Sequence, residues 1–375
     1  MQSNNTVIIS CAGSGKTYDI CRRARQSHKE NKRILLVTYT NRGKDSIVHE
    51  YEKQNLGVID SFIDVKTWYQ FLLSELIKPY QSNFFGDINI LRSIDFQEQY
   101  GYVNYKKTDD PSRYINRNND INSNEVARLA FLLNSKSKEK TIRRLEEIYS
   151  NIFIDEVQDL AGDDLNILEM LFDSSIHVTC VGDPKQSTFK TYNTKKYQSK
   201  TGGNILSYFT HLQTTGILQI ITSDESRRCN QGICKLANKV NPNEPTMKSI
   251  NNESTGHDGV FIIQESDINH YIQSFRPQIL VYDKNSAIEG YQSLNFGISK
   301  GMTFERVLII SNGPISKFLE ENHVLNSNHK YYVAVTRAKF SVCFAVKKLK
   351  KYSGFTEHNI HLMDGVIMKG FIMNN

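Results

Sequence analysis

The sequence predicts an α/β protein that carries two parallel sheets in separate domains. Short apolar runs that can be buried on both faces alternate with helical segments, which is typical of parallel strands. These runs form two groups, one before residue 182 and one after residue 259. A glycine-rich loop joins the first run directly to the first helical segment. The length of 375 residues exceeds one small domain and fits two or three.

Five elements are expected in the first group. They are strands at 6–10, 33–40, 151–155 and 176–181 and a helix at 16–28. Aliphatic and β-branched residues dominate each strand, as in the segment TVIIS at 6–10. Because ligands of open α/β sheets bind at the carboxyl ends of the strands, we expect the catalytic residues to gather there.

The pattern changes between residues 79 and 149, where the chain is polar and rich in Asn. Helical segments at 125–135 and 140–150 predict a small, mostly helical insertion with one long loop. Later apolar runs, at 260–263, 278–282, 306–311 and 341–346, predict a second α/β unit. The predicted domains are therefore 1–78 with 150–213, the insertion 79–149, and 214–375.

Composition excludes several classes of protein. Hydrophobic residues make up 39% and charged residues 23%, as in ordinary globular proteins. No apolar stretch approaches the roughly 18 residues of a membrane span, and no signal pattern opens the sequence, so we expect a cytoplasmic protein. The net charge of +6 permits a polyanionic partner without requiring one. Six cysteines without a C-x-x-C pair argue against structural zinc.

The segment SCAGSGKT at 10–17 has the composition of a phosphate-binding loop. Gly13 and Gly15 would let backbone N–H groups approach phosphate oxygens, Lys16 would bridge the β- and γ-phosphates, and Thr17 would place its hydroxyl on Mg²⁺. Ala12 and Ser14 complete the predicted nucleotide-binding set. Ser10 replaces the first glycine of the general pattern, and the alternative is a strand–helix turn that binds no ligand.

An apolar strand that ends in Asp155 and Glu156 predicts the catalytic carboxylates. Asp155 would hold Mg²⁺, and Glu156 would polarise the attacking water as general base. The alternative is an acidic pair at a helix N-terminus. A third strand leads into GDPKQ at 182–186, where the Gln186 amide can sense the γ-phosphate. Together these motifs predict nucleotide hydrolysis.

In this order, SGKT at 14–17, DEVQD at 155–159 and GDPKQ at 182–186 resemble superfamily 1 helicases of the UvrD/PcrA/Rep type. The segment YVAVTRAK at 332–339 matches that family fully. The resemblance covers residues 6 to about 347 and implies two RecA-like domains that hydrolyse ATP with Mg²⁺. It further implies movement along single-stranded DNA, with 3′–5′ polarity favoured by the DExQD form.

The resemblance also assigns residues in the other motifs. Arg228 in SRRC and Arg337 in YVAVTRAK take the two arginine-finger positions. The residues that correspond to DNA contacts in the family are Tyr39, Thr40, Asn41, Thr67, Phe189, Ser299 and Lys300. Tyr39 could stack on a base or pack at a strand end. Trp68 is equally consistent with the core and with a DNA contact.

The chain also departs from the family. Because few residues precede the first strand, we expect no segment that reads adenine there, and Phe189 and Tyr192 occupy the region of the family's Y-x-W-R-G. About ten residues separate ILVYDKN from NFGISKG, where the family inserts its accessory domain 2B. We therefore expect a compact translocase that unwinds weakly alone or depends on another protein.

Three functions remain open at this stage. The first is a DNA-dependent ATPase and helicase, with RNA left open as the track. The second is a nucleotide-switched DNA sensor that controls a partner nuclease, by analogy with the compact UvrD-like proteins of antiphage systems such as Gabija. The third is a small-molecule kinase, against which the paired arginines and GDPKQ argue. The sequence leaves the oligomeric state open.

Overall fold

The computed structural model describes residues 5–29, 31–86, 91–96, 106–188, 197–242, 245–283 and 288–374. The chain forms two compact units. The first contains Met1–Ile9, Lys16–Pro184 and Phe189–Ile221. The second contains Ser10–Gly15, Lys185–Thr188 and Thr222–Asn375.

The first unit has a six-stranded sheet in the order β3-β2-β6-β7-β1-β8, in which the first five strands pair in parallel. The strands, with the small β4–β5 pair, are β1 Thr6–Ser10, β2 Arg33–Thr38, β3 Ile63–Thr67, β4 Ile94–Asp95, β5 Ile121–Asn122, β6 Tyr149–Ile154, β7 His177–Gly182 and β8 Gln219–Ser223. The helices are α1 Lys16–Gln26, α2 Asn41–Gln54, α3 Trp68–Phe71, α4 Ser82–Phe85, α5 Val126–Lys136, α6 Lys140–Ile148, α7 Asp164–Phe172 and α8 Ile205–Thr214.

The central strands of this sheet are buried on both faces. In β2, Leu35 and Val37 pack into one hydrophobic cluster, whereas Ile34 and Leu36 pack into another. Side chains alternate between the faces of a strand, so the two clusters lie on opposite sides of the sheet. The predicted parallel α/β sheet is thereby confirmed.

Residues between 79 and 149 contribute α4, α5 and α6 and the short β4–β5 pair. Leu129 and Leu133 of α5 and Leu145 of α6 are fully buried in the same cluster as Leu35 and Val37. The helical stretch is thus packed onto the core that supports the sheet.

The second unit has a seven-stranded sheet in the order β13-β12-β14-β15-β11-β17-β16. The strands, with the small β9–β10 pair, are β9 Glu225–Ser226, β10 Lys248–Ser249, β11 Gly259–Gln264, β12 Gln278–Val281, β13 Ser293–Asn295, β14 Phe304–Ile310, β15 Ala338–Val346, β16 Phe355–His361 and β17 Ile367–Met373. The helices are α9 Gln231–Val240, α10 Ile268–Phe275, α11 Gly313–Glu321 and α12 Asn328–Val335. The five strands from β13 to β11 pair in parallel, and β17 and β16 continue the sheet antiparallel.

The structure differs from the sequence expectation in several elements. Residues 219–223, expected in the second domain, form β8 of the first sheet because Leu218 and Ile220 pack into the core of the first unit. The hairpin of β16 and β17 lies beyond the last expected strand.

All six cysteines are free and buried, and burial raises the pKa of Cys21 to about 12, so this thiol stays protonated at neutral pH. None of the described helices is both long and apolar enough to cross a bilayer.

Candidate active site

Three neighbouring strands of the first sheet bring the predicted nucleotide-site residues to one edge. The order β6-β7-β1 is parallel, so the carboxyl ends of these strands lie side by side. Asp155 and Glu156 follow β6, Asp183 follows β7, and β1 leads through the glycine-rich loop to Lys16. This edge is where open α/β sheets bind their ligands.

The loop Ser10–Gly15 has the backbone of a phosphate cradle. Gly13 and Gly15 have φ values of 75° and 90°, which residues with a Cβ rarely adopt. The Ser14 hydroxyl oxygen is buried and makes no hydrogen bond. An unsatisfied buried hydroxyl beside positive-φ glycines fits the oxygens of a phosphate group, which would satisfy it.

Two further contacts position this loop within the second unit. A Cβ at Gly13 would lie 2.5 Å from Cβ of Arg228 and 2.7 Å from Oγ of Ser226, so only glycine fits there. The Ala12 carbonyl accepts a hydrogen bond from Ser226 Oγ at 2.8 Å, and the Ala12 N–H donates to the Tyr332 hydroxyl at 3.2 Å. Tyr332 begins the YVAVTRAK segment, and sequence reasoning assigned it no role.

Asp155 and Glu156 form a tight turn at the end of β6. The Glu156 N–H donates to Asp155 Oδ1 at 2.9 Å, and the Asp155 N–H donates to the Val37 carbonyl at 2.8 Å. Asp155 is 9% exposed, and Glu156 has a left-handed φ of 57°. The main chain therefore fixes the direction in which both carboxylates leave the sheet edge.

Gln158 connects this turn to the end of β7. Its amide nitrogen donates to Glu156 Oε2, and its amide oxygen accepts the Asp183 N–H at 3.0 Å. Sequence reasoning noted Gln158 only as part of DEVQD. A contact across 25 positions of the chain requires the tertiary structure.

The described residues hold no group of three or more His, Cys, Asp and Glu side chains arranged for a metal. The predicted magnesium ligands are the Thr17 hydroxyl, on the first turn of α1, and the Asp155 carboxylate. Both offer the oxygen donors that Mg²⁺ prefers, and Mg²⁺ commonly takes one or two protein ligands and completes its shell with phosphates and waters. The two residues are consistent with such a site.

In the second unit, Gln186 and Arg337 are paired. Arg337 Nη2 donates to Gln186 Oε1 at 3.0 Å, and both residues are buried, at 1% and 4% exposed for Arg337 and Gln186. Arg337 also donates to the carbonyls of Val333 and Met302, at 3.0 and 3.1 Å. Arg228 is half-buried, and its Nη1 donates to the Thr336 carbonyl at 3.2 Å. The predicted sensor amide and both predicted arginine fingers thus lie within one network.

The residues predicted to bind DNA in the first unit follow β2 and β3, at the same sheet edge as the nucleotide motifs. Tyr39 is half-buried beside Tyr69, with ring centroids 6.3 Å apart, and burial together with Tyr39 raises the pKa of Tyr69. Thr40 caps α2 by accepting the Gly43 N–H at 3.0 Å, and Asn41 is exposed. Thr67 caps α3, and its side chain is turned to Gln70. Among these side chains, Thr40 and Asn41 are open to solvent.

The remaining predicted contacts are placed differently. Ser299 is fully buried and donates its hydroxyl to the Phe296 carbonyl at 2.7 Å, whereas Lys300 is half-exposed. Phe189, and Tyr192 near it, lie outside the described residues. Trp68 is 1% exposed and donates its indole N–H to Asp164 at 2.7 Å, which places it in the core.

Comparison with known proteins gives one family match. A family model described as an AAA domain, AAA_19, matches residues 1–191. The search of curated proteins finds no match. A solved chain of similar structure comes from a complex of the arterivirus nonstructural protein 10 (helicase) with DNA, with a TM-score of 0.48 and 13% identity. The match covers 92% of this chain and spans 61% of the length of that one.

Proposed function

We propose that this chain, which belongs to the AAA domain family AAA_19, is a superfamily 1 helicase-type motor that hydrolyses ATP and moves along single-stranded DNA. One observation carries the proposal. The neighbouring parallel strands β1, β7 and β6 lead at their carboxyl ends into the phosphate loop, GDPKQ and DEVQD, respectively. At the same edge of the sheet, β2 and β3 lead into the segments proposed to contact nucleic acid.

In the proposed reaction, the backbone of the loop Ser10–Gly15 and Lys16 hold the phosphates of ATP. Glu156 accepts a proton from water as the water oxygen bonds to the γ-phosphorus. The bond from that phosphorus to the β–γ bridging oxygen breaks, which leaves ADP and phosphate. Mg²⁺, bound by Thr17 and Asp155, would offset negative charge on the phosphates.

Three further residues would take part in the proposed chemistry. Arg228 and Arg337 would stabilise charge on the transferred phosphoryl group, and Gln186 would report whether the γ-phosphate is present. The hydrogen bond between Arg337 and Gln186 supports a common role for these two residues.

Single-stranded DNA would contact the segments that follow β2 and β3, and Lys300 of the second unit is a further proposed contact. Thr40 and Asn41 offer exposed polar groups to phosphates, and the net charge of +6 favours a polyanionic track. We propose 3′–5′ polarity. We also propose that the chain acts together with a partner nuclease, in DNA repair or in antiphage defence.

The test is the ATPase rate with and without single-stranded DNA, with Lys16→Ala as the blank. Strong stimulation by DNA supports a motor, and parallel assays with RNA identify the track. DNA binding without stimulated turnover would reject the motor in favour of a nucleotide-switched sensor that acts on a partner. An ATP turnover rate that does not change when nucleic acid is added, together with phosphorylation of a small molecule, would instead support a kinase.

A further inference from the structure

Gln158 is fully buried at the centre of the candidate hydrolysis site, and both ends of its amide are used. The nitrogen donates to the Glu156 carboxylate, and the oxygen accepts the Asp183 N–H at 3.0 Å. We propose that Gln158 is a positioning residue that holds the general base Glu156 in line with the end of β7. This inference rests on the proposed function and deepens it.

The orientation of the amide follows from its partners. A backbone N–H can only donate, so the atom of Gln158 that faces Asp183 N–H must be the oxygen. The nitrogen is thereby directed at Glu156, whose ionised carboxylate can only accept. A side chain with one donor end and one acceptor end is needed, and glutamate, which has the same shape, fails at the Glu156 contact.

The side chain of Gln158 packs closely against the end of β7. A Cβ at Gly182 would lie 2.5 Å from Gln158 Oε1 and 2.9 Å from Val157 Cγ1. The end of β7 therefore lies directly against the turn Val157–Asp159. The turn itself is closed by the Asp159 N–H, which donates to the Glu156 carbonyl at 2.9 Å.

Glu156 needs such support because its backbone is in the left-handed region, with φ at 57°. Residues with a Cβ stay in this region only where the surroundings hold them there. A general base must also lie within hydrogen-bond reach of the proton that it accepts. Gln158 therefore acts on the reaction through the position of the Glu156 carboxylate, not through contact with the nucleotide.

The experiment compares Gln158→Glu with wild type in the DNA-stimulated ATPase assay. We expect kcat to fall about 10- to 100-fold, the cost expected for a displaced reacting group, while KM for ATP stays within about twofold. Asn134→Asp is the matched control, since it places a charge at another buried amide of the first unit, 8% exposed, and should leave kcat unchanged.

A second comparison separates positioning from general support of the fold. In the Glu156→Gln background, Gln158→Glu should cost no further rate in single-turnover assays, because the group through which it acts is already lost. If Gln158→Glu lowers the hydrolysis rate equally in the wild type and in the Glu156→Gln background, the proposal is overturned. If Gln158→Glu does not fold, Gln158→Met of similar volume carries the same comparison, with melting temperature measured alongside. If Gln158→Glu hydrolyses ATP at the wild-type rate, this inference is rejected and the proposed function stands. If the wild type itself has no ATPase activity, the proposed function is rejected together with this inference.

Discussion

At the scale of single residues, the proposed reaction assigns the general base to Glu156. Its replacement by Gln keeps the shape and an acceptor oxygen for the Gln158 amide but removes the base. We expect Glu156→Gln to bind ATP with near wild-type affinity and to hydrolyse it about 10²- to 10⁴-fold more slowly. Equilibrium titration with a fluorescent nucleotide and single-turnover hydrolysis measure the two quantities separately. Normal turnover in this variant would contradict the assignment of the base.

Lys16 makes a different prediction, because in the proposed reaction it binds the phosphates rather than the water. Lys16→Ala should weaken nucleotide binding and abolish hydrolysis together, since one charged group serves the ground state and the transition state. The same titration and the same turnover assay apply. Unchanged turnover would remove Lys16 from the site, and a loss of turnover with full binding would assign it a transition-state role only.

Gly182 tests the packing at the end of β7. In Gly182→Ala the new methyl would lie 2.5 Å from Gln158 Oε1, so the turn must shift. Overpacking of this kind destabilises proteins by about 1–3 kcal/mol, measured as the free energy of unfolding in urea. The control is Gly313→Ala at the start of α11, where a Cβ would meet nothing within 4 Å and stability should be unchanged. Equal stability of both variants would show that the turn has room.

At the scale of elements, a buried histidine packs between β11 and α10. The His257 ring stacks between Phe261 and Phe275, and Nε2 lies 2.9 Å from the Tyr271 hydroxyl. Burial, together with the smaller effects of Arg306 and His358, lowers its pKa from 6.5 to about 3, and Asp258 opposes this shift. The folded protein therefore requires the neutral imidazole.

The sign of the pH effect follows from this difference. Below pH 6.5 the unfolded chain binds a proton that the folded chain excludes, so stability falls as pH decreases toward 3. We expect the wild type to lose up to about 1.4 kcal/mol per pH unit in this range relative to His257→Gln, which does not titrate. Urea unfolding from pH 7 to pH 4 measures the difference. Parallel curves for the two proteins would show that His257 is not held neutral.

The elements also show where sequence reasoning succeeds. The strand expected at 6–10 is β1. Its apolar residues are buried on both faces of the sheet, so the segment can be recognised as a strand from its own sequence. The helix expected at 16–28 ends at Gln26, and the strand expected at 33–40 ends at Thr38, since Thr40 is used as the cap of α2. The hairpin of β16 and β17 was missed because its residues are largely exposed in β16 and follow no long apolar run. The motifs indicate the nucleotide chemistry, but the contact of Gln158 with Asp183 depends on the order of strands in the sheet.

At the scale of the whole molecule, the connection from β12 to β14 has a functional consequence. β12 ends at Val281 and β14 begins at Phe304, and β13 within this stretch pairs in parallel with β12. The connection is thus used to extend the sheet of the second unit. On the proposed function, this is the position at which the resemblance to UvrD-type helicases predicts the accessory domain 2B, and we propose that the chain does without it.

We therefore expect this chain to move along single-stranded DNA faster than it separates duplex strands. Translocation is measured by the arrival of the protein at a fluorophore on the 5′ end of oligonucleotides of increasing length, with the fluorophore on the 3′ end as the polarity control. Unwinding is measured by strand displacement from a duplex with a 3′ single-stranded tail. Because neutralised phosphates release counterions, binding to both substrates should weaken steeply with salt, so the two rates are compared at one ionic strength. Strand separation as fast as translocation, by the chain alone, would show that the two units suffice to open a duplex.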